Sequence, residues 1–239
     1  MLTCKVHAQK LQLNSVIDGI PGDKSISHRA FILGSLCDNQ SLFSHILESE
    51  DCLNTLTIMR TLGATISKSD DIYCVEGLGL NGLKAPSTLS PLDVGNSGTS
   101  IRLLTGLLAA QPFESVITGD SSIQGRPMRR IIDPLSKMGA LITGQSHTNS
   151  DDIYPPLLIQ PVDQLSSLSY SSPVASAQLK SSLLLAGLYA DSVSVDEPDH
   201  SRDHTERLLR YFGASVDTYG KRVTLHHTQL LTNPNPDHV

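Results

Sequence analysis

The chain contains no tryptophan, and only 4% of its 239 residues are aromatic. Leu, Ile, Val and Ala must therefore build the core, which suits helices packed on sheet faces rather than an aromatic stacking surface. Cysteine is scarce, and Cys4, Cys37, Cys52 and Cys74 form no Cys-x-x-Cys pair. That excludes a zinc ribbon and a dithiol redox centre, and the four read as reduced, mostly buried thiols. Cations are outnumbered 18 to 24, leaving a net charge of −6. A nucleic-acid surface needs a basic stripe, so nucleic acid is excluded as a partner and any anion site must be local. No apolar run approaches membrane-spanning length, and the first residues carry neither a signal-peptide core nor an Arg/Ser-rich transit bias. The expectation is a cytoplasmic protein without a membrane partner.

What is present centres on Pro21-Gly22-Asp23-Lys24-Ser25-Ile26-Ser27-His28-Arg29. Pro21 and Gly22 force a turn, and Ile26, Ala30, Leu33 and Cys37 then recur at helical spacing, which puts Lys24 and Ser25 at a helix N-terminus. Free backbone N–H groups and the positive end of the helix dipole point there. Ser25 and Arg29 lie four apart and share a face, so a hydroxyl and a guanidinium can close on one carboxylate or phosphate. A nucleotide P-loop is rejected, because Asp23 stands where a Gly must precede the Lys. This stretch alone also fits an ordinary helix start with solvated charges.

The dipeptide Gly-Ala followed by a short strand recurs at Gly63, Gly139 and Gly213, 76 and 74 residues apart. An amphipathic helix precedes each copy, at Asp51 to Leu62, Pro127 to Met138 and Asp203 to Phe212, with the Gly as its C-terminal cap. A second set of helices begins near Ser25, Thr99 and Ser176, each with a cation a few positions in: Arg29, Arg102 and Lys180. The pattern predicts an α/β (α+β) fold of three βαβαββ repeats, at about 20–88, 89–164 and 165–232. Helices face inward and sheets outward around a pseudo-threefold axis. If the second set of helices runs parallel, Lys24, Ser25, Arg29, Asn96, Thr99, Arg102, Ser176 and Gln178 converge on one pocket for a multiply charged anion. Residues 1–20 read as a strand leading into the domain, with alternation through Cys4-Lys5-Val6-His7. Residues 21–232 form the anion-binding domain, and 233–239 read as a Pro/Asn hinge with no packing signal.

Gly95-Asn96-Ser97-Gly98-Thr99-Ser100-Ile101-Arg102 is a second Gly-rich turn entering a helix, whose backbone can approach a ligand closely. Arg126 directly precedes Pro127, read as the first helical residue, and so can point at a ligand; Arg129 and Arg130 fit a solvated helix start better. Ser176 and Lys180 share one face of the third repeat's helix. Asp203 with Glu206 reads as a helix N-cap signal rather than an acid/base pair. Glu50 and Asp51 have the same ambiguity. His200 and His204 have metal-compatible spacing but no third ligand, so no metal is expected. No spacing suggests a covalent nucleophile.

Taken in order, the Pro21–Arg29 cradle, the Gly95–Arg102 turn, Arg126-Pro127-Met128, Ser176-Ala177-Gln178 and Ser201-Arg202-Asp203-His204 resemble the 5-enolpyruvylshikimate-3-phosphate synthase family across essentially the whole chain. The resemblance implies transfer of the enolpyruvyl group of phosphoenolpyruvate to the 5-hydroxyl of shikimate-3-phosphate, through a tetrahedral intermediate and without a cofactor, on the route to chorismate and the aromatic amino acids. By motif it implies that Lys24 touches both substrates and that Ser25 with Arg29 holds the shikimate carboxylate. Ser176, Ala177, Gln178 and Arg202, assisted by Ser201, would hold shikimate-3-phosphate. Asn96, Gly98, Arg126 and Gln178 would line the phosphoenolpyruvate site, supported by Asp51, Thr99 and Arg102. Gly98 resembles glyphosate-sensitive members. Family members are much longer, which implies a partner C-terminal half carrying the second jaw and the main acid/base groups, a second domain that the strand of residues 1–20 would join. The related UDP-N-acetylglucosamine enolpyruvyl transferases and a non-catalytic anion-binding half are the alternatives, the Lys24–Arg29 cradle favouring the shikimate substrate.

Overall fold

The computed structural model describes residues 20–86, 90–148 and 150–237. The first unit runs α1 (Lys24–Leu36), β1 (Ser41–Ser44), α2 (Glu50–Thr61), β2 (Thr65–Ser69) and β3 (Ile72–Glu76). The second runs β4 (Leu92–Asp93), α3 (Gly98–Leu108), β5 (Ser115–Thr118), α4 (Ser121–Gln124), α5 (Arg129–Lys137), β6 (Leu141–His147) and β7 (Ser150–Gln160). The third runs β8 (Leu168–Ser171), α6 (Ala177–Gly187), β9 (Ser192–Asp196), α7 (His204–Tyr211), β10 (Val216–Tyr219) and β11 (Arg222–His226).

Strand order shows the repetition directly. The sheets are ordered β4-β5-β7-β6 and β8-β9-β11-β10, with the first pair parallel and the others antiparallel. The first unit's sheet, β1-β3-β2, has the same order, with no leading strand among the described residues. The expected Cys4–His7 strand lies outside the described residues. Gly63, Gly139 and Gly213 have φ of +102°, +98° and +88°, the left-handed conformation that ends α2, α5 and α7 and turns the chain into a hairpin.

Burial places the layers. In α1 every residue from Ser27 to Leu36 is buried, and in α6 every residue from Leu179 to Gly187; α3 is nearly as enclosed. Helices covered on all sides are central. The sheets bury alternate residues, such as Tyr73 and Val75 or Val223 and Leu225, and leave the intervening side chains outward. α3 and α6 cross so closely that a Cβ at Gly106 would lie 2.1 Å from the Ser182 carbonyl oxygen.

Four readings of the sequence are corrected. Ile26, counted in the apolar stripe of α1, is 42% exposed, because it lies in the first turn where the helix emerges. Pro127 is not a first helical residue. Met128 is tied to β7 through the Ile153 carbonyl, and the Asp152 carboxylate caps the amide of Arg129, where α5 begins. Glu206 is not a capping group, since it is buried against Lys180, and Asp203 makes no side-chain cap bond. Asn233, placed in an unpacked tail, is 4% exposed and exchanges hydrogen bonds with Asn39 at 2.8 and 2.9 Å.

Candidate anion-binding site

The three central helices begin at the same cleft. Their N-caps are Asp23, Ser97 and Ser176, each accepting an amide hydrogen bond three residues on, from Ile26, Ser100 and Leu179. The first residues of α1, α3 and α6 line one open cleft of about 620 Å³: Lys24 and Ser25, Thr99, and Ala177 and Gln178. Three helix N-termini thus present partial positive charge to one volume. A second cleft, of about 390 Å³ near Tyr189, contains Asp163 and Asp191 in its lining but no Lys or Arg. Its charge is wrong for the same ligand.

Side chains reinforce the cleft's polarity. Arg202 Nη1 donates to the Ser25 hydroxyl at 2.8 Å. Ser25 Oγ therefore accepts on one side and keeps its own proton for a ligand. Arg29 is 4% exposed, and its donors reach the Ser25 carbonyl at 2.7 Å, the Ser181 hydroxyl at 2.7 Å and the Thr205 hydroxyl. Burial lowers its pKa to about 10, although the nearby Glu206 carboxylate opposes that drop. Lys24 pairs with Asp51, which fixes its ammonium at the cleft's edge. The Ser176 hydroxyl accepts from the Leu179 amide at 3.3 Å, so its proton is also free to be donated. Ser201 differs, because its hydroxyl donates to Glu197 at 2.7 Å.

The expected single pocket is two adjoining groups. Lys24, Ser25, Arg29, Thr99, Ser176, Ala177, Gln178, Ser201 and Arg202 line the cleft. Asn96, Gly98, Arg102 and Arg126 gather beside it. Arg126 Nη2 donates to Asn96 Oδ1 at 3.0 Å, and a Cβ at Gly98 would meet Arg126 Nη1 at 2.5 Å and Arg102 Nη1 at 2.9 Å. Gln178 Nε2 donates to Thr99 Oγ1 at 3.1 Å within the cleft, and Thr99 directly follows Gly98 of the second group at the start of α3. Burial, then the charges of Arg130 and Arg126, hold the Arg102 pKa below its usual value. Clustered cations of this kind are stabilised when an anion arrives.

Lys180 does not line the cleft. It turns inward to pair with Glu197 and Glu206. A lysine one turn ahead of the apolar run Leu183 to Ala186, on a helix read as core, was a readable signal for such a buried pair. The sequence reading also missed that Asp23, His200 and His204 line the cleft. Among the described residues no three His, Cys, Asp or Glu side chains are placed to hold a metal, and no helix is long and apolar enough to cross a membrane.

The model of the EPSP synthase (3-phosphoshikimate 1-carboxyvinyltransferase) family matches residues 8–235. The chain belongs to the EPSP synthase family. It is 50% identical to the 3-phosphoshikimate 1-carboxyvinyltransferase of Geobacillus kaustophilus (strain HTA426) over 89% of this chain and 48% of that protein. It is 49% identical to the same-named protein of Geobacillus thermodenitrificans (strain NG80-2), again over 89% and 48%. The solved EPSP synthase of Acinetobacter baumannii superposes with a TM-score of 0.84 at 45% identity, covering 90% of this chain and 47% of that one. The chain therefore spans about half the length of the EPSP synthases it matches.

Proposed function

We propose that this chain is the N-terminal, shikimate-3-phosphate-binding half of an enzyme that transfers the enolpyruvyl group of phosphoenolpyruvate to the 5-hydroxyl of shikimate-3-phosphate. The observation that carries the reading is the convergence of three helix N-termini with Lys24, Arg29 and Arg202 on one cleft in a protein of net charge −6. Both substrates carry a phosphate and a carboxylate, so each needs the two kinds of anion contact found here.

In this reading the carboxylate of shikimate-3-phosphate lies against the Ser25 hydroxyl and Arg29. Its phosphate lies at the start of α6, where Ser176 has a free proton, Ala177 and Gln178 offer backbone N–H groups, and Arg202 supplies a fork of donors. Phosphoenolpyruvate occupies the neighbouring group of Asn96, Gly98, Arg102 and Arg126, with Gln178 between the two. Attack of the 5-hydroxyl oxygen on the enol carbon, with a proton delivered to the methylene carbon, gives a tetrahedral adduct; loss of phosphate with loss of a methyl proton then gives the product. Lys24 stands between the anions and balances charge as they approach. Asp51 fixes its ammonium. The second jaw and the remaining acid/base groups belong to a C-terminal half, and the whole works in the cytoplasm without a resident cofactor.

The test is reconstitution. Mixing this chain with a separately produced C-terminal half of a Geobacillus relative should restore phosphate release that depends on both substrates. Release independent of shikimate-3-phosphate, or none despite association of the halves, contradicts the reading.

A further inference from the structure

Behind the start of α6 lies a group of charges that touches no ligand in the reading above. Lys180 Nζ is 2.8 Å from Glu197 Oε2 and 2.7 Å from Glu206 Oε1, and the three side chains are 4%, 3% and 2% exposed. Burying two carboxylates and an ammonium carries a large desolvation cost, and well-packed apolar residues would fill the space at least as stably. The arrangement therefore calls for a role other than stability.

Glu197 supplies one. Its Oε1 accepts the backbone N–H of Ser176 at 2.8 Å, and its Oε2 accepts the Ser201 hydroxyl at 2.7 Å. Ser176 caps α6, whereas Ser201 stands in the segment leading to α7, and both line the cleft. One buried carboxylate thus sets the spacing between two separate walls of the anion site, while Lys180 fixes that carboxylate from behind. It also fixes the polarity of each serine. The Ser176 amide is consumed, so the Ser176 hydroxyl is what this residue offers to a ligand. Ser201 commits its hydroxyl proton to Glu197, which fixes the orientation of that hydroxyl at the cleft wall.

We infer that Glu197, anchored by Lys180, is a positioning residue that holds Ser176 and Ser201 in register for the phosphate end of the cleft. The inference rests on the shikimate-3-phosphate reading. Glu206 anchors the far side of Lys180, and the neighbouring Thr205 hydroxyl accepts Arg29 Nε, so the carboxylate end is braced from the same turn of α7. The effect of Glu197 should nevertheless concentrate on the phosphate, because its own bonds go to Ser176 and Ser201.

The test compares Glu197→Gln with the unaltered chain in titrations with shikimate-3-phosphate and with shikimate. Glutamine keeps the shape and leaves Lys180 paired with Glu206, so folding should survive, as a thermal melt will verify. A hydrogen bond to a charged acceptor is roughly twice as strong as a neutral one. The expected result is about a tenfold loss in shikimate-3-phosphate affinity with shikimate affinity unchanged. Equal losses for both ligands, or no loss for either, overturn the inference. If the unaltered chain shows no preference for the phosphorylated ligand, the substrate reading fails, and amide exchange at Ser176 decides the inference alone. Exchange there should accelerate about tenfold in Glu197→Gln while Leu183–Leu185 stay protected; unchanged exchange at Ser176 overturns it.

Discussion

Arg202 Nη1 and Ser25 Oγ lie 2.8 Å apart across 177 residues of sequence. This bond closes the cleft between the first unit and the third, and both partners belong to the proposed shikimate-3-phosphate contacts. Arg202→Ala should weaken shikimate-3-phosphate binding about 10- to 100-fold, the usual range for a lost charge-assisted hydrogen bond. Because Arg202 is exposed, the thermal midpoint should stay nearly unchanged. Calorimetry beside a thermal melt checks both statements, and binding at unaltered affinity removes Arg202 from the site.

Gly98→Ala separates the two anion groups. The new methyl meets the ends of two flexible guanidinium side chains, Arg126 and Arg102, rather than backbone. The fold should therefore accommodate it, and shikimate-3-phosphate binding to the chain should stay within about twofold. In the enzyme reassembled with a C-terminal half, the KM for phosphoenolpyruvate should rise, because displaced guanidinium groups no longer meet its anionic groups. A KM unchanged for phosphoenolpyruvate contradicts that placement.

Gly106→Ala acts on stability alone. Its methyl would meet the Ser182 backbone oxygen at 2.1 Å, and backbone cannot swing aside as a side chain can. Forcing α3 and α6 apart should cost about 1 to 3 kcal/mol or more. Urea denaturation measures it, and an unchanged midpoint would mean that the helices do not cross there.

His28 makes folding sensitive to acid. It is fully buried, its Nδ1 lies 2.8 Å from the Thr55 hydroxyl, and its Nε2 has no partner among the described residues. Burial lowers its pKa from 6.5 to about 4; Asp51 opposes this, while Lys24 and Arg29 add to it. The unfolded chain therefore binds a proton first as pH falls. The stabilising contribution is whole above about 6.5, erodes below it and is gone near 4, a loss of about 3 kcal/mol. Denaturation of the chain and of His28→Gln from pH 7 to 4 should show a shallower fall in the variant. Parallel falls contradict the assignment.

Much of this was legible from spacing. The Gly-Ala recurrence marked the ends of α2, α5 and α7, and the positive φ of Gly63, Gly139 and Gly213 bears out the left-handed caps. The cradle from Lys24 to Arg29 and the turn around Gly98 were legible as helix starts. Their division into two groups was not, since only the fold brings Arg126 to Asn96 and to Gly98, beside the cleft rather than in it. Glu206 was misread because the same residue serves a capping box or a buried ion pair, and its partner Lys180 lies 26 residues earlier in the chain. Pro127 was misread because the cap that starts α5 comes from Asp152, in another strand.

The central claim is that this cleft binds shikimate-3-phosphate through both of its anionic groups. Calorimetric titration of the chain with shikimate-3-phosphate, set against shikimate, tests it most directly. The account predicts saturable binding that is much tighter with the phosphate present and is lost in Arg29→Ala without unfolding. Equal affinity for the two ligands, or no binding of shikimate-3-phosphate at millimolar concentration, would contradict it.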